Sequence, residues 1–344
     1  MRVRARPADD TACGQYRVYM PVAALQATGE DVALFNRYLT NRDEELPDVV
    51  VVQRPLLRHT VEEVIPKAQA AGVAVVVEID DDFTALHHRN MAFARMHPQS
   101  TGPDFNWQWI GRACAAADLV TCTTPALAAR YAGHGRVAVI PNYVPAAYLD
   151  VPHAGDGHTV GWAGNLAVHP EDLDQVGFGV ADAITEHPKA RFMALGDELT
   201  LPRLRIPPKR GEYVPWVNFA EYAATIARFD IGLVPLQNNQ FNQAKSCLKM
   251  LEYAATGVVP VVSPTADNVR LNRETGIGRV CRRPKDWRAA VRRYLEDPQE
   301  LADAAVFNKT VVGDRLTIEG NAWRWMEAWE SAVQHRHRTG RRTA

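Results

Sequence analysis

The segment FNQAKSCLKMLEYAATG, at residues 241–257, has charged side chains at a spacing suited to a phosphate-containing ligand. Lys245, Lys249 and Glu252 are four and three positions apart, so on a helix they share one stripe. Two of the chain's seven lysines fall within five residues here. Ammonium groups bind phosphates and a carboxylate accepts hydrogen bonds from a ribose diol, so the stripe predicts a nucleoside diphosphate site. The alternative is a solvated helix face in which Lys249 pairs with Glu252.

The spacing predicts one helix over residues 243–256, followed by a glycine stop and a buried strand. Lys245 and Ser246 would then lie in the first turn, where free N–H groups and the helix dipole favour a bound anion. The polar stripe would face away from the domain core. The apolar face of this helix consists of Cys247, Leu248, Leu251, Ala254 and Ala255.

A second charged cluster, EIDDDF at residues 78–83, follows a predicted strand. Asp81 and Asp82 are candidates to orient an acceptor hydroxyl, or to stabilise positive charge on an oxocarbenium-like sugar. An acid-rich helix N-terminus explains the cluster equally well.

Two predicted strand-to-helix loops add further candidates. Gly14 and Arg17 lie in CGQYRVYMP after the first strand, where glycine permits close approach of a ligand and arginine reaches phosphate. Gly164 and Asn165 end a strand later in the chain. Both loops are also compatible with ordinary strand-to-helix turns.

Apolar, β-branched runs alternate with amphipathic stretches along the whole chain, which predicts an α/β protein with two doubly wound parallel sheets. In the first half, the predicted strands are 48–55, 73–80, 119–124 and 137–142, and the helices 16–27, 60–71, 105–118 and 125–132. In the second half, the strands are 159–165, 190–197, 230–236, 258–264 and 278–282, and the helices 171–187, 218–228, 243–256 and 285–296.

The sequence VPHAGDGH, rich in Gly, Pro and His, predicts a domain boundary near residue 151. We expect one domain over 1–150 and another over 151–316. A tryptophan-rich helix over 317–335 should pack at their junction. The basic segment 336–344 lacks an apolar anchor, and we expect it to be disordered.

Composition, motifs and cysteine spacing argue against several classes of protein. Thirty-nine basic and forty acidic residues give a net charge of −1, so no overall field attracts nucleic acid or anionic membrane. The chain has neither G-x-G-x-x-G nor a P-loop motif, which disfavours NAD enzymes and P-loop kinases. Five scattered cysteines disfavour a disulfide framework or a zinc site. Because no long apolar run is present, we expect a cytoplasmic protein without a signal peptide or transmembrane contact.

The pattern K-S-x-x-K-x-x-E-Y-x-A-x-G-x-x-P-V-V at 245–262 resembles the C-terminal signature of retaining GT-B glycosyltransferases, of a bacterial or phage type, in the sucrose-synthase-like and mannosyltransferase-like group. The resemblance includes IPN at 140–142 and GWAGN at 161–165. It implies two Rossmann-like domains facing a central cleft, with the C-terminal helix returning to the first domain. It also implies a metal-independent hexosyl- or pentosyltransferase that uses a UDP- or GDP-sugar as co-substrate and has no permanently bound cofactor.

The resemblance assigns roles to individual residues. Glu252 matches the second glutamate of a Glu-x7-Glu pair, which binds the nucleotide ribose. The first glutamate is replaced by Ala244, which leaves Asn242 or Gln243 as neutral partners for the sugar. Lys245 matches the lysine directed at the donor phosphates. The acceptor stays open among a glycan, a lipid-linked sugar, a protein and a hydroxylated base of modified DNA.

Several alternatives remain at this stage. Asp80 and Asp82 form a D-x-D pattern that binds metal in the other glycosyltransferase fold, although that fold would leave the 241–264 motif unexplained. His169 and Asp172 are candidates to touch the donor, but their spacing also suits a helix start. A nucleotide-sugar epimerase has the same fold. A degenerate binder without transferase activity is suggested by Ala244.

Overall fold

The computed structural model describes residues 1–35, 46–97 and 107–343, which form two parallel α/β sheets of six strands each. The order in the first sheet is β2-β1-β3-β4-β5-β6, and in the second it is β12-β11-β10-β7-β8-β9. In the first sheet the strands are β1 (Val3–Arg6), β2 (Val32–Leu34), β3 (Val49–Gln53), β4 (Ala74–Ile79), β5 (Leu119–Cys122) and β6 (Val137–Val139). In the second they are β7 (Thr159–Ala163), β8 (Arg191–Leu195), β9 (Gly211–Val214), β10 (Ile231–Val234), β11 (Val259–Val262) and β12 (Arg279–Val280).

The central strands confirm the pattern read from the sequence. β3 and β4 are buried at every position, as valine-rich parallel strands covered by helices on both faces should be. Two edge strands were not predicted. β2 has only three residues, and β9, with the sequence GEYV, has no buried residue and therefore no apolar run.

Helices cover both faces of each sheet. In the first part of the chain, the α-helices are Ala12–Gly14, Met20–Ala27, Ile65–Ala70, Phe93–Met96, Trp107–Ala116 and Pro125–Tyr131, with π-helical segments Gln15–Tyr19 and Thr60–Val64 and 3-10 turns Phe83–Ala85 and Ala146–Asp150. In the second, the α-helices are Gly179–Glu186, Thr200–Arg203, Phe219–Ile226, Gln240–Gln243, Leu248–Ala255, Ala266–Thr275, Pro284–Glu296, Pro298–Arg315, Ile318–Asn321 and Trp323–Thr343, with 3-10 turns Asp172–Gln175 and Pro208–Arg210. The first two residues of the predicted helix 105–118 lie outside the described residues.

The C-terminal helix Trp323–Thr343 returns to the first sheet, as the fold resemblance implies. Trp325 is buried and meets Tyr143 edge-on, with 6.1 Å between ring centroids. Near its end, Arg336 forms an ion pair with Asp118, the residue before β5. This ion pair holds the helix against the first sheet at Arg336. Residues 336–343 are helical, whereas the sequence predicts disorder there; Ala344 lies outside the described residues.

Two predicted helix starts are wrong, and both affect the candidate site. The chain is already helical at Ala12, so Gly14 lies inside the helical segment and not in a loop before it. The single helix predicted over 243–256 is divided into Gln240–Gln243 and Leu248–Ala255. The turn between these two helices is held by a residue of the Ala266–Thr275 helix, because the Cys247 N–H donates to the Asp267 carboxylate at 2.8 Å.

Candidate functional site

The candidate residues cluster where the carboxyl ends of the two sheets meet. In each sheet the strand order reverses at one point, between β1 and β3 in the first and between β7 and β10 in the second. Ligands of doubly wound α/β proteins bind outside the carboxyl ends of strands at such points. Side chains of the two domains meet in this region, where Lys245 donates to Asp81 and Tyr16 donates to Glu252.

Lys245 lies in the turn before the Leu248–Ala255 helix, which corrects its predicted place in the first helical turn. Its Nζ donates to Asp81 Oδ1 at 2.9 Å across the domain boundary, and both side chains are 19% exposed. Burial alone would lower the pKa of Lys245, but the charge of Asp81 raises it above its ordinary value. Burial likewise opposes ionisation of Asp81, yet Lys245 and Arg54 hold the pKa of Asp81 below its ordinary value. The pair is therefore ionic.

Glu252 is buried at 5% exposure, so it does not lie on the solvated helix face of the alternative interpretation. Tyr16 Oη from the first domain donates to Glu252 Oε1 at 2.7 Å, and Tyr222 Oη donates to Oε2 at 3.1 Å. Tyr16 Oη also lies 2.9 Å from Tyr148 Oη. Burial raises the pKa of Glu252, while the charge of Lys249 and the two phenol hydrogen bonds oppose that rise. Each carboxylate oxygen thus accepts one hydroxyl hydrogen bond.

Lys249 lies one turn before Glu252 and is half-buried. Its Nζ donates to the Ala163 carbonyl, the last residue of β7, at 2.7 Å. Burial lowers the pKa of Lys249, and the negative charge of Glu252 opposes that effect. Lys245, Lys249 and Glu252 therefore lie near one another. None of them is exposed, so they do not form the solvated helix face of the alternative interpretation.

The three aspartates after β4 have separate environments. Asp80 pairs with Arg54, whose Nη2 lies 2.7 Å from Asp80 Oδ2 and 3.4 Å from Asp81 Oδ2. Asp82 is buried and accepts a hydrogen bond from the Thr84 N–H at 3.1 Å, which caps the following turn. Asp80 and Asp82 thus have different partners. Among the described residues, no group of three His, Cys, Asp or Glu side chains is arranged to hold a metal ion.

Arg54 is a site residue that the sequence analysis missed. It has a left-handed backbone with φ of 45° and lies immediately after β3, at the reversal point of the first sheet. Its guanidinium contacts the carboxylates of Asp9, Asp80 and Asp81. The only sequence signal is an arginine directly after a buried strand, and no motif marks it.

Arg17 does not face the candidate cleft. Its guanidinium is buried and pairs with Glu78 at 2.8 Å, and Nη1 donates to the Ile140 carbonyl at 2.9 Å and to Asn142 Oδ1 at 3.0 Å. Gly14 has a local role as well, because a Cβ there would lie 1.8 Å from the Asp9 carbonyl oxygen. These contacts give both residues structural roles in the first domain.

Ser246 belongs to the domain boundary, and Asn242 lies deeper in the second domain. Ser246 Oγ accepts a hydrogen bond from Asn142 Nδ2 at 2.7 Å. Asn242 Nδ2 donates to Asp172 Oδ1 at 2.7 Å, while Asn242 Oδ1 is buried with no hydrogen-bond partner among the described residues. The other Asp172 oxygen lies 2.7 Å from His169 Nδ1. The His169–Asp172–Asn242 chain therefore lies at the reversal point of the second sheet.

Gly164 and Asn165 directly follow β7 at this point. The Gly164 N–H donates to the Leu195 carbonyl at 3.0 Å, which joins the ends of β7 and β8. The Asn165 carbonyl accepts from the His169 N–H at 3.0 Å, and its side chain is exposed. Gly164 is thus buried where two strands end, and Asn165 is exposed next to it.

Residues 180–326, which include the Leu248–Ala255 helix, match the family model described as glycosyl transferase-like. The chain is a glycosyltransferase. Among curated proteins, none matches the sequence of this glycosyltransferase significantly.

Solved structures place the glycosyltransferase in the GT-B fold. HepE of Anabaena in complex with UDP is similar, with a TM-score of 0.64, 12% identity, and coverage of 96% of this chain and 100% of that one. Sucrose-phosphate synthase of Thermosynechococcus elongatus has a TM-score of 0.62, 15% identity, and coverage of 96% and 98%. AviGT4, a glycosyltransferase of avilamycin A biosynthesis, has a TM-score of 0.62, 14% identity, and coverage of 97% and 98%. Within the described ranges, every helix is too short or too polar to cross a bilayer.

Proposed function

We propose that this glycosyltransferase moves a sugar from a nucleoside diphosphate sugar to an acceptor hydroxyl, with retention of anomeric configuration and without a metal ion. The observation that carries the proposal is the environment of Glu252. Its two buried carboxylate oxygens accept hydrogen bonds from two hydroxyl groups, as they would from a ribose diol. Lys249 lies one turn away, beside the end of β7, where the donor diphosphate would follow the ribose.

The proposed donor site uses residues that now pair across the domain boundary. Lys245 pairs with Asp81, and Glu252 pairs with Tyr16. A diphosphate would replace Asp81 as the anionic partner of Lys245, and ribose hydroxyls would replace phenol hydroxyls on Glu252. Lys245 and Glu252 would thus exchange one set of partners for another, while Tyr16 would keep its contact with Tyr148 and Asp81 its contact with Arg54. Donor entry then requires the two domains to separate locally.

The chemical step would rest on electrostatic stabilisation of the leaving group. As the bond between the anomeric carbon and the phosphate oxygen breaks, negative charge grows on the diphosphate, and Lys245 would stabilise it. The acceptor oxygen forms the new bond to the anomeric carbon and gives its proton to the departing phosphate. No protein base is needed in this scheme.

The remaining candidates would have supporting roles. Asp81, released from Lys245, would orient the acceptor hydroxyl or stabilise the oxocarbenium-like sugar. Asp82 caps the turn and would hold Asp81 in place. Gly164, Asn165 and Ser246 would line the donor pocket. Asn242 Oδ1 is buried without a partner among the described residues. It would accept a hydrogen bond from a sugar hydroxyl, which is the role of the family glutamate that is Ala244 in this chain.

A donor panel followed by product analysis tests the proposal. UDP and GDP sugars are compared by thermal shift, and UDP comes first because the similar HepE structure contains UDP. The stabilising donor is then incubated with a glycan, a lipid-linked sugar, a protein and DNA with hydroxylated bases, and the products are identified by mass spectrometry. We expect a UDP- or GDP-sugar to stabilise the enzyme and one acceptor to gain the mass of the sugar.

The same experiment separates the alternatives. Conversion of the donor sugar to its epimer without any acceptor would identify an epimerase. Tight donor binding with neither transfer nor slow donor hydrolysis would contradict the transferase mechanism. Stabilisation by no nucleoside diphosphate sugar would contradict the proposed donor site itself.

A further inference from the structure

Arg54 combines an unusual backbone with a buried charge at the reversal point of the first sheet. It directly follows β3, and its φ of 45° lies in the left-handed region, which glycine occupies without strain. In other residues such a backbone persists where surrounding contacts hold it, and it is concentrated at functional sites. The contacts of the Arg54 side chain supply that support.

The guanidinium of Arg54 is held by side chains of the first domain. Its Nε and Nη2 bind the two oxygens of Asp80, the second at 2.7 Å, so a planar fork meets a planar carboxylate. Nη2 also lies 2.9 Å from Cys13 Sγ, and the guanidinium carbon lies 5.1 Å from the centroid of the Phe83 ring. Asp9 is a further carboxylate, 3.5 Å from Nη1. The position of Arg54 therefore does not depend on the second domain.

Asp81 is shared by cations of the two domains. Lys245 of the second domain donates to Asp81 Oδ1 at 2.9 Å, and Arg54 Nη2 of the first lies 3.4 Å from Asp81 Oδ2. Burial opposes ionisation of Asp81, while the charges of Lys245 and Arg54 both lower its pKa. When Lys245 turns to a donor diphosphate, Arg54 stays beside Asp81 and keeps that carboxylate ionised.

We propose that Arg54 is a positioning residue for Asp81, which it holds in place for the acceptor hydroxyl after Lys245 has turned to the donor. This inference rests on the proposed function, in which Asp81 orients the acceptor or stabilises the oxocarbenium-like sugar. Arg54 itself touches neither substrate. Its fork is occupied by Asp80, which argues against a direct contact between Arg54 and the diphosphate.

A purely structural role for Arg54 would be to neutralise buried carboxylates. The side chain of Arg54 is 11% exposed and that of Asp80 7%, so removal of the cation would leave a buried carboxylate without its partner. Both roles predict a loss of stability on substitution. They differ in whether the effect of Arg54 on transfer depends on the Asp81 carboxylate.

A double-mutant cycle separates the two roles. The wild type, Arg54→Met, Asp81→Asn and the double variant are assayed for kcat and for the KM of the acceptor, with the UDP- or GDP-sugar and the acceptor that the panel of donors and acceptors identifies. Calorimetric titration with UDP and GDP measures nucleotide affinity, and urea unfolding checks each fold. If Arg54→Met does not fold, the cycle is run with Arg54→Lys, which keeps the buried charge. Arg112→Met is the control, because Arg112 is 55% exposed and pairs with Glu62 in the same domain.

We expect Arg54→Met to lower kcat/KM for the acceptor about 10- to 100-fold, as displacement of a catalytic group does. Nucleotide affinity should stay within about threefold of the wild-type value, since Arg54 lies outside the donor site. In the Asp81→Asn background, Arg54→Met should change kcat/KM by less than about twofold, because the charge that Arg54 positions is already absent. Arg54→Lys should fall between the wild type and Arg54→Met, since an ammonium cannot replace the fork. Arg112→Met should transfer as the wild type does.

Three results would overturn the positioning role while leaving the proposed function intact. One is wild-type kcat/KM in Arg54→Met. Another is an equal loss from Arg54→Met with and without the Asp81 carboxylate, which would indicate a structural effect. The third is a loss of nucleotide affinity as large as the loss of kcat/KM, which would place Arg54 at the donor. If the wild type transferred no UDP- or GDP-sugar to any acceptor of the panel, the proposed function would be contradicted, and the positioning role with it.

Discussion

Two ion pairs, Arg17–Glu78 and Lys245–Asp81, differ in their burial and in the number of other groups that contact them. Arg17 and Glu78 are each 1% exposed. Arg17 also donates to backbone carbonyls and to Asn142, and the Thr121 hydroxyl donates to Glu78 at 2.5 Å. Lys245 and Asp81 are each 19% exposed, and Asp81 has a second, longer contact with Arg54 at 3.4 Å.

The difference distinguishes an ion pair that stabilises the fold from one that can exchange a partner for a ligand. A charge held by several fixed partners inside one domain cannot turn to a ligand without leaving those partners unpaired. A pair that joins two domains loses only one contact when the domains separate. The sequence suggested a phosphate-binding role for both Arg17 and Lys245, and we propose that role for Lys245.

The largest expected effect is on stability at the first pair. Arg17→Met should lower the free energy of unfolding by about 3–5 kcal/mol, because it leaves Glu78 buried without its cation. Urea unfolding measures this loss. The control is Arg292→Met, which removes an exposed i,i+4 pair with Glu296 and should leave the urea unfolding curve unchanged. A loss below about 1 kcal/mol in Arg17→Met would show that the first pair is not architectural.

The next largest effect concerns catalysis at the second pair. Lys245→Ala should lower kcat by about 10²- to 10³-fold, as removal of a fixed donor to a developing anion does in other enzymes. Its unfolding free energy should change by about 1 kcal/mol or less, because the pair is partly exposed. Steady-state kinetics and urea unfolding give both values. Lys249→Ala is the companion variant, and it should act mainly on donor affinity. Wild-type kcat in Lys245→Ala would remove Lys245 from the mechanism.

A smaller effect tests whether the second pair competes with the donor. Asp81→Asn frees Lys245 from its anionic partner, so UDP should bind up to about tenfold more tightly. Transfer should nevertheless slow, because Asp81 is proposed to act on the acceptor. Calorimetric titration with UDP and a transfer assay measure the two changes. Weaker UDP binding in this variant would argue against competition between Asp81 and the diphosphate.

The smallest expected effect is that of metal removal. Transfer should be unchanged by EDTA, because lysine ammonium groups are proposed to stabilise the diphosphate. The transfer assay with and without EDTA, followed by added manganese or magnesium, measures this. Lost activity that either metal restores would revive the D-x-D interpretation of Asp80 and Asp82.

The sequence predicted those features that depend on local pattern. β3 and β4 were correctly predicted because runs of valine buried on both faces leave a clear signal. The two-sheet fold and the returning C-terminal helix followed from the same alternation and from the family resemblance. β9 was missed because an exposed edge strand has no apolar run.

Features that depend on distant residues could not be predicted. The helix start near residue 243 was wrong because the turn before Leu248 is held by remote side chains, among them Thr124, which donates to the Ala244 carbonyl at 2.9 Å. The burial of Glu252 depends on Tyr16, 236 positions away. Arg54 had no motif to mark it. For Ala244 and Glu252 the partner is set by the packing of the two domains, whereas the carboxylates that contact Arg54 lie within the first domain.

The most direct test of the donor site is calorimetric titration of UDP and GDP into wild-type enzyme and Glu252→Gln. The substitution keeps the shape of the side chain and removes a buried charge, so the fold should be retained, and the unfolding free energy checks this. Glu296→Gln, on an exposed helix face, is the control. We expect at least about tenfold weaker binding of the preferred nucleotide in Glu252→Gln and no change in Glu296→Gln, in line with loss of a charge-assisted hydrogen bond to ribose. Equal nucleotide affinity in wild type and Glu252→Gln would contradict the proposed ribose site.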